Sequence, residues 1–307
     1  MAGLFNLHQA IALDGIGVVR QRCATKQQRA SVNAAVATLA ARAADANGSD
    51  DALYASVLVT GLPHKKLDHP GVPLRWEHEC AQACLRYESR NATGLPYGAK
   101  ARMVLLYLQT EAIRNNSPEV ELGPSMHAWL RSMTRQTPGG MTYRIIREQA
   151  TRLFDCQLSI MWKSFSAQPL HAPLVRGLSN ASGEPHGTAQ CHAEESIPAR
   201  AVLHEAVFQA IRASAVRVRR SAIQCISHNG TAMDQYILMS QRLPTLPASV
   251  AIPWPALAAR FGTNYKRFSQ MRPRYLDALR LALAVYPEAR IDVTAHGLVL
   301  HPSPPPA

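Results

Sequence analysis

The stretch TPGGMTYRIIREQATRLFDCQLSIMW, residues 137–162, gives the strongest indication of the fold. A proline and two glycines predict a turn at 138–140. Apolar side chains then recur at helical spacing and predict a helix to about residue 155, and the alternating residues that follow predict a strand. The expected core side of this helix is Ile145, Ile146, Gln149, Leu153 and Phe154, and the expected outward side is Tyr143, Arg144, Arg147, Thr151 and Arg152.

The elements around this stretch follow a simple order. From 97 to 165 the patterns predict a helix, a short helix, the helix that ends at about residue 155, and a hairpin. The same order is predicted again from 234 to 302. In the second set, His296-Gly297 marks the hairpin turn. The sequence therefore predicts a mainly α protein with short β hairpins, built from tandem winged-helix (helix-turn-helix) domains.

The rest of the chain is less strongly patterned. A strand is expected at 53–63 and a helix at 77–90. The Ala-rich start is expected to be loosely attached, and the Pro-, Gly-, Ser- and His-rich middle indicates irregular structure. The predicted organisation is a poorly ordered helical arm at 1–50, a first winged-helix domain with an N-terminal strand extension at 51–165, an irregular linker or insertion at 166–225, and a second winged-helix domain at 226–307.

Composition and charge favour a polyanionic partner. The 307 residues carry a formal net charge of +12, and a strongly basic chain attracts nucleic acid or an acidic surface. No run is apolar enough for a membrane helix, and the first residues lack the pattern of a signal peptide. We expect a cytoplasmic protein with no membrane partner and with its six cysteines reduced.

A winged helix places its third helix in the major groove of DNA, with the second helix bracing it. Such a helix needs an apolar side for its own domain and an outward side that reaches base edges and phosphates. Arginine suits both targets, because its forked guanidinium pairs with guanine and with phosphate oxygens. Basic helix faces are also ordinary solvated surfaces, so the pattern alone leaves both interpretations open.

The second predicted reading segment lies before a leucine stripe. Its candidate DNA-contacting residues are Lys266, Arg267, Gln270, Arg272 and Arg274. Pro273 interrupts this segment, and proline removes a backbone donor inside a helix. We therefore expect the helix to begin at Pro273 or to kink there.

Two long stretches resemble the plasmid replication initiator family of the RepA (RepA C-terminal-like) type. They are GLPYGAKARMVLLYLQTEAIRNNSPEVELGPSMHAWLRSM from Gly94 and IPWPALAARFGTNYKRFSQMRPRYLDALRLALAVYPEARIDVTAHGLVLHPSPP from Ile252. The likeness covers roughly 53–165 and 226–303. The segment between them lacks it, which indicates an unusual insertion or a frameshifted reading of the gene.

The resemblance implies a protein that binds direct repeats (iterons) at a plasmid origin in duplex DNA. It also implies recruitment of the host initiator and replicative helicase, and a homodimer to which the first winged helix contributes. The C-terminal winged helix would read the repeats. Carried over on this basis are Arg144 and Arg147 in the first helix, and Lys266, Arg267 and Arg272 in the second.

Enzymatic motifs give little support to a catalytic function. No G-x-x-x-x-G-K-[ST] loop occurs, and no His-hydrophobe-His pair is present for a metal-dependent nicking nuclease. His192-Ala193-Glu194 matches part of a zinc deaminase motif without the required P-C-x-x-C. Cys80 and Cys84 with His64, His69 and His78 fit no common zinc spacing. We expect no enzyme, cofactor or metal; a winged-helix transcriptional repressor and a rolling-circle nicking enzyme are the alternatives.

Overall fold

Helices and short strands make up most of the described chain. The structure is a computed structural model that describes residues 7–44, 52–67, 74–80, 82–90, 93–133, 140–163, 169–185, 198–261 and 267–306. The helices are α1 (Leu7–Gln21), α2 (Lys26–Ala44), α3 (Val57–Thr60), α4 (Gly98–Arg114), α5 (Gly123–Ser132), α6 (Gly140–Phe154), α7 (Glu205–Ser214), α8 (Arg220–Ile226), α9 (Gly230–Arg242), α10 (Trp254–Phe261) and α11 (Phe268–Ala284). The strands are β1 (Ala52–Ala55), β2 (Arg75–Glu79), β3 (Ala83–Ser89), β4 (Glu119–Glu121), β5 (Cys156–Trp162), β6 (Leu170–Pro173), β7 (Val175–Ser179), β8 (Arg200–Leu203), β9 (Val216–Arg219), β10 (Val250–Pro253), β11 (Ile291–Val293) and β12 (Gly297–Leu300).

The chain divides into two compact units. The central unit is residues 53–216, and the terminal unit joins residues 1–52 to residues 217–307. These divisions lie elsewhere than the domain boundaries expected from sequence. Within the described residues, no helix is long and apolar enough to cross a membrane.

The described part of the N-terminal arm belongs to the terminal unit. Helix α2 packs against α11, and the Arg42 guanidinium donates to Glu288 Oε2 at 2.9 Å. Val32 and Ala35 are fully buried. The expectation of a poorly ordered, loosely attached arm is therefore wrong for residues 7–44. The reason is that α2 is held by buried small side chains, Val32, Ala34 and Ala35, which a weak hydrophobic pattern does not reveal.

A three-stranded sheet completes the terminal unit, in the order β10-β12-β11 with antiparallel pairs. Gly297 lies opposite Pro253, and a Cβ at this position would stand 2.0 Å from the Ile252 carbonyl oxygen. Only glycine permits this approach. The Trp254 indole N–H donates to the Ala295 carbonyl at 3.0 Å and ties the start of α10 to the hairpin turn.

The central unit contains two sheets beside α4, α5, α6 and α7. One sheet has the order β2-β3-β5-β6 and the other has the order β4-β8-β7, both antiparallel. Helix α4 contributes most of its length to the core, from Ala101 to Thr110. It packs against α6, and so fixes the position of the helix that the sequence singles out.

The strand expected at 53–63 is observed only as β1, Ala52–Ala55, and is followed by the helix α3, Val57–Thr60. Two further expectations fail in the central unit. The helix expected at 77–90 is instead the pair β2 and β3, with alternating burial along β3 and a partner, β5, about 70 residues later. The described residues of 166–225 are not irregular: β6 extends the β5 edge, and β8 lies between β4 and β7. Both errors arise because strands depend on distant partners more than on local sequence. The frameshift hypothesis stays a prediction, to be tested on the coding DNA.

A buried arginine fixes the segment after α3. Arg102 on α4 is fully buried, and its guanidinium donates to the carbonyl oxygens of Leu62 at 2.7 Å and Pro63 at 3.1 Å. The planar fork of arginine can serve several acceptors at once. Burial, and then the nearby Arg102 charge, lower the pKa of His64 to about 2.

Candidate nucleic-acid interface

The inner side of α6 is set by its packing on α4. The exposed fraction of Ile146, Ala150 and Leu153 is at most 1%. Gln149 is also buried, and its side-chain oxygen accepts a hydrogen bond from the backbone N–H of Tyr97 at 2.8 Å. This contact satisfies a donor at the start of α4 and explains why a polar residue occupies the core side.

Arg152 belongs to this inner side as well. Its guanidinium donates to the Glu148 carboxylate at 2.8 Å and to the Leu95 carbonyl at 3.2 Å. It also lies over the Tyr97 ring, at 5.4 Å from the centroid. The side chain is only 10% exposed. It therefore stabilises the packing of α6 on the segment before α4 and is not accessible to a ligand.

Four residues form the outer face of α6. Met141, Arg144, Ile145 and Glu148 are all exposed and stand at positions i, i+3, i+4 and i+7, the spacing of one helix face. Arg144 donates to the sulfur of Met141 at 3.3 Å, which holds the guanidinium beside that side chain. The outer face therefore combines a cation and two large apolar groups with the Glu148 carboxylate, which is paired with Arg152.

The expected outward residues divide differently from the prediction. Arg144 is exposed, whereas Tyr143 and Arg147 are half-buried. Thr151 is 3% exposed, and its hydroxyl donates to the Arg147 carbonyl at 3.0 Å. Its expected outward placement is therefore wrong. Ile145, expected in the core, is 37% exposed. The exposed side of α6 is therefore centred on Arg144. The contact of α6 with α4, and not the row of arginines, decides how α6 is rotated about its axis.

The start of α11 carries the second candidate set. Arg267 is the residue before the first helical turn, and Arg267, Gln270 and Arg274 are exposed at positions i, i+3 and i+7. We call these three residues the α11 row. Lys266, the remaining lysine of the predicted set, lies outside the described residues.

Arg272 is separated from the α11 row by its packing. It is half-buried, and its guanidinium carbon lies 4.8 Å from the centroid of the Trp254 ring. A cation over an indole face is attracted by the ring quadrupole. Trp254 also meets Tyr275 edge-on, so Arg272 closes an aromatic cluster and does not extend outward with its neighbours.

Helix α11 continues through Pro273. The expected start at Pro273 is wrong, since the helix begins five residues earlier, at Phe268. The alternative, a kink at Pro273, stays a prediction. Proline removes one donor, which leaves the Ser269 carbonyl without its partner four residues on. Ser269 and Pro273 are both exposed, so water can satisfy that carbonyl.

The exposed arginines of both faces are available to an anion. Among the residues that the structure describes, Arg144, Arg267 and Arg274 have no ion-pair partner. An arginine that is not already paired keeps its full set of donors for phosphate or guanine.

Metal ligation finds no support in the described part of the chain. It holds no group of three or more His, Cys, Asp or Glu residues that could bind an ion. Cys80 is buried and donates to the Ala83 carbonyl at 3.1 Å, while Cys84 is exposed. His69 lies outside the described residues. The expectation of no metal and no cofactor stays a prediction.

Met141 is a surface residue that was not predicted from the sequence. Its exposed fraction is 61%. The available signal was its spacing, because Met141, Arg144 and Ile145 share a helix face. Assigning both isoleucines of 145–146 to the core concealed that face.

Comparisons with known proteins bear on the family. No curated protein matches the sequence. Solved structures that are similar at low identity include two of RctB. The crystal structure of the RctB domains 2-3 has 10% identity and a TM-score of 0.48, and the similarity covers 80% of this chain and 94% of that chain. The crystal structure of selenomethionine derivatives of domains 2 and 3 of RctB has 12% identity and a TM-score of 0.44, with coverage of 72% and 81%.

A family profile gives the stronger result. The profile described as "Plasmid encoded RepA protein" matches residues 95–252. That range begins one residue after Gly94, within the first stretch that carries the resemblance, and includes residues 166–225, where no likeness was expected from sequence. The match spans half of the chain and confirms the resemblance. The chain belongs to the family of plasmid-encoded RepA proteins, the plasmid replication initiators of the RepA C-terminal kind.

Proposed function

We propose that this protein initiates plasmid replication by binding direct repeats in duplex DNA at the origin, through α6 and α11, and then recruits the host initiator and replicative helicase. The observation that carries the proposal is a repeated arrangement. In each unit the third helix of a helix–strand–helix–helix–hairpin series presents exposed arginine outward and apolar residues inward.

The terminal unit supports a winged-helix assignment most directly. Its order is α9, β10, α10, α11 and the hairpin of β11 and β12, with β12 between β10 and β11. A winged helix places its third helix in the major groove and lets the hairpin contact the backbone. In this assignment α11 is the reading helix, and the α11 row contacts DNA.

The central unit follows the same order with one difference. The series is α4, β4, α5, α6 and the hairpin of β5 and β6, but β4 pairs with β8 and not with the hairpin. We assign α6 as its reading helix and the β5–β6 hairpin as its wing. The exposed residue that we place on DNA is Arg144, with half-buried Tyr143 and Arg147 at the margin.

Charge supports a polyanion as the partner. The formal net charge is +12, and each phosphate that an arginine neutralises releases condensed counterions. Binding should therefore weaken steeply with salt. A homodimer remains part of the proposal, since direct repeats present adjacent sites to several copies.

Three measurements test the function. A plasmid that carries only this gene and its adjacent repeats is expected to replicate in a suitable host, and footprinting is expected to protect those repeats. Protection without replication would instead indicate a transcriptional repressor. Opening of supercoiled plasmid by the pure protein with a divalent metal would indicate a nicking enzyme.

A further inference from the structure

The outer face of α6 contains two large apolar side chains that its own fold does not cover. Met141 is 61% exposed and Ile145 is 37% exposed, in the first two turns of the helix. A surface residue of this type is ordinary when it stands alone. Here the two lie four residues apart on either side of Arg144, whose guanidinium donates to the Met141 sulfur.

Both residues lie where a reading helix approaches the bases. The N-terminal residues of such a helix contact base edges, while later turns rest on the rest of the protein. In the major groove, thymine is the base that presents an apolar group, the C5-methyl. Cations suit guanine and phosphate, but they give no preference for a methyl group.

We propose that Met141 and Ile145 select thymine in the bound repeat by contacting C5-methyl groups, while Arg144 contacts an adjacent guanine or phosphate. The proposal rests on the proposed function and names the bases that this site prefers. Charge complementarity favours DNA over a second copy of the chain as the occupant. The reason is that an exposed arginine, with no ion pair among the described residues, stands between the apolar groups.

The test removes methyl groups from DNA without altering its base pairing. The probe is a duplex of the repeat protected in the footprint, prepared once with thymine and once with deoxyuridine at every thymine position. Wild-type protein is expected to bind the deoxyuridine duplex more weakly, by about fourfold for each methyl group that the protein would otherwise cover. The variant Met141→Ala/Ile145→Ala keeps good helix formers. It is expected to bind the thymine duplex as weakly as wild type binds the deoxyuridine duplex.

The decisive quantity is the coupling between the two changes. Deoxyuridine should cost the double variant less than twofold, since the contacting groups are already gone. A matched control is Leu13→Ala, which removes a 76% exposed leucine from α1, a helix with no assigned DNA contact, and should leave the full sensitivity to deoxyuridine.

Three results would overturn the inference. The first is a loss of affinity below twofold when wild type binds the deoxyuridine duplex, and the second is a loss of affinity on that duplex that is as large for the double variant as for wild type. The third is a change in the oligomeric state of the free double variant, measured by sedimentation, which would assign the face to a second copy. Absence of any protected repeat would instead contradict the proposed function, so the two failures are distinct.

Discussion

Replacing Arg102 by methionine should destabilise the central unit strongly. The side chain is fully buried, and its guanidinium donates to the Leu62 and Pro63 carbonyls. A third bond runs to the Gly98 carbonyl within α4 at 3.0 Å. A hydrogen bond from a charged group contributes about 1.5–3 kcal/mol, so the two bonds that leave α4 amount to about 3–6 kcal/mol. Methionine has a similar length and avoids the cost of burying a charge, which offsets part of that loss. We expect the free energy of unfolding to fall by about 2–4 kcal/mol.

Urea unfolding monitored by tryptophan fluorescence measures this change. Trp76 reports on the affected segment, because its indole N–H donates to the Gly61 carbonyl at 2.8 Å. With a denaturant slope of about 2 kcal/mol/M, the midpoint should fall by about 1–2 M. The matched control Arg86→Met removes an exposed arginine paired with Glu77, and should cost less than about 1 kcal/mol. Equal midpoint shifts for the two variants would refute the reasoning.

Three further predictions concern other parts of the fold. Gly297→Ala should cost about 2–3 kcal/mol or more, seen as a lower melting temperature, because the new Cβ would meet the Ile252 carbonyl at 2.0 Å; unchanged melting would contradict the strand register. Burial lowers the pKa of His64 to about 2, so below pH 6.5 the unfolded chain binds a proton that the native state does not. Stability should therefore fall as the pH falls, with His64 contributing up to about 1.4 kcal/mol per pH unit; urea midpoints from pH 7.5 to 5.5 should change less in His64→Asn than in wild type. Arg272→Ala should lower stability by about 0.5–1 kcal/mol because the cation over the Trp254 ring is removed, while Arg274→Ala should weaken DNA binding more; the reverse order in unfolding and binding assays would contradict the assignment.

Helices with a clear apolar repeat were predictable from sequence. The helix expected after the turn at 138–140 and up to about residue 155 is observed as Gly140–Phe154. Its buried side includes Ile146 and Leu153 as expected. The orientation was less predictable. Two adjacent isoleucines and several arginines fit more than one angle about the helix axis, and only contact with α4 selects one.

Strands and buried polar groups could not be read locally. The run around Cys84, Leu85 and Arg86 contains good helix formers, yet it is a strand because β2 and β5 lie on either side of it. Arg102 looks like a surface arginine until the carbonyls near residue 62 are brought beside it. In each case the deciding partner is distant in the chain, which sequence periodicity does not record.

DNA affinity as a function of salt tests the central claim most directly. The triple variant Arg144→Ala/Arg267→Ala/Arg274→Ala removes the exposed arginines of the two proposed reading helices. The charge-matched control Arg22→Ala/Arg75→Ala/Arg86→Ala removes arginines that are 64%, 58% and 44% exposed elsewhere. On the protected repeat, the first variant is predicted to bind at least about a hundredfold more weakly, with a salt slope reduced by about one for each phosphate that is no longer neutralised. Equal affinities and equal slopes for the two variants would contradict the claim that α6 and α11 hold the DNA.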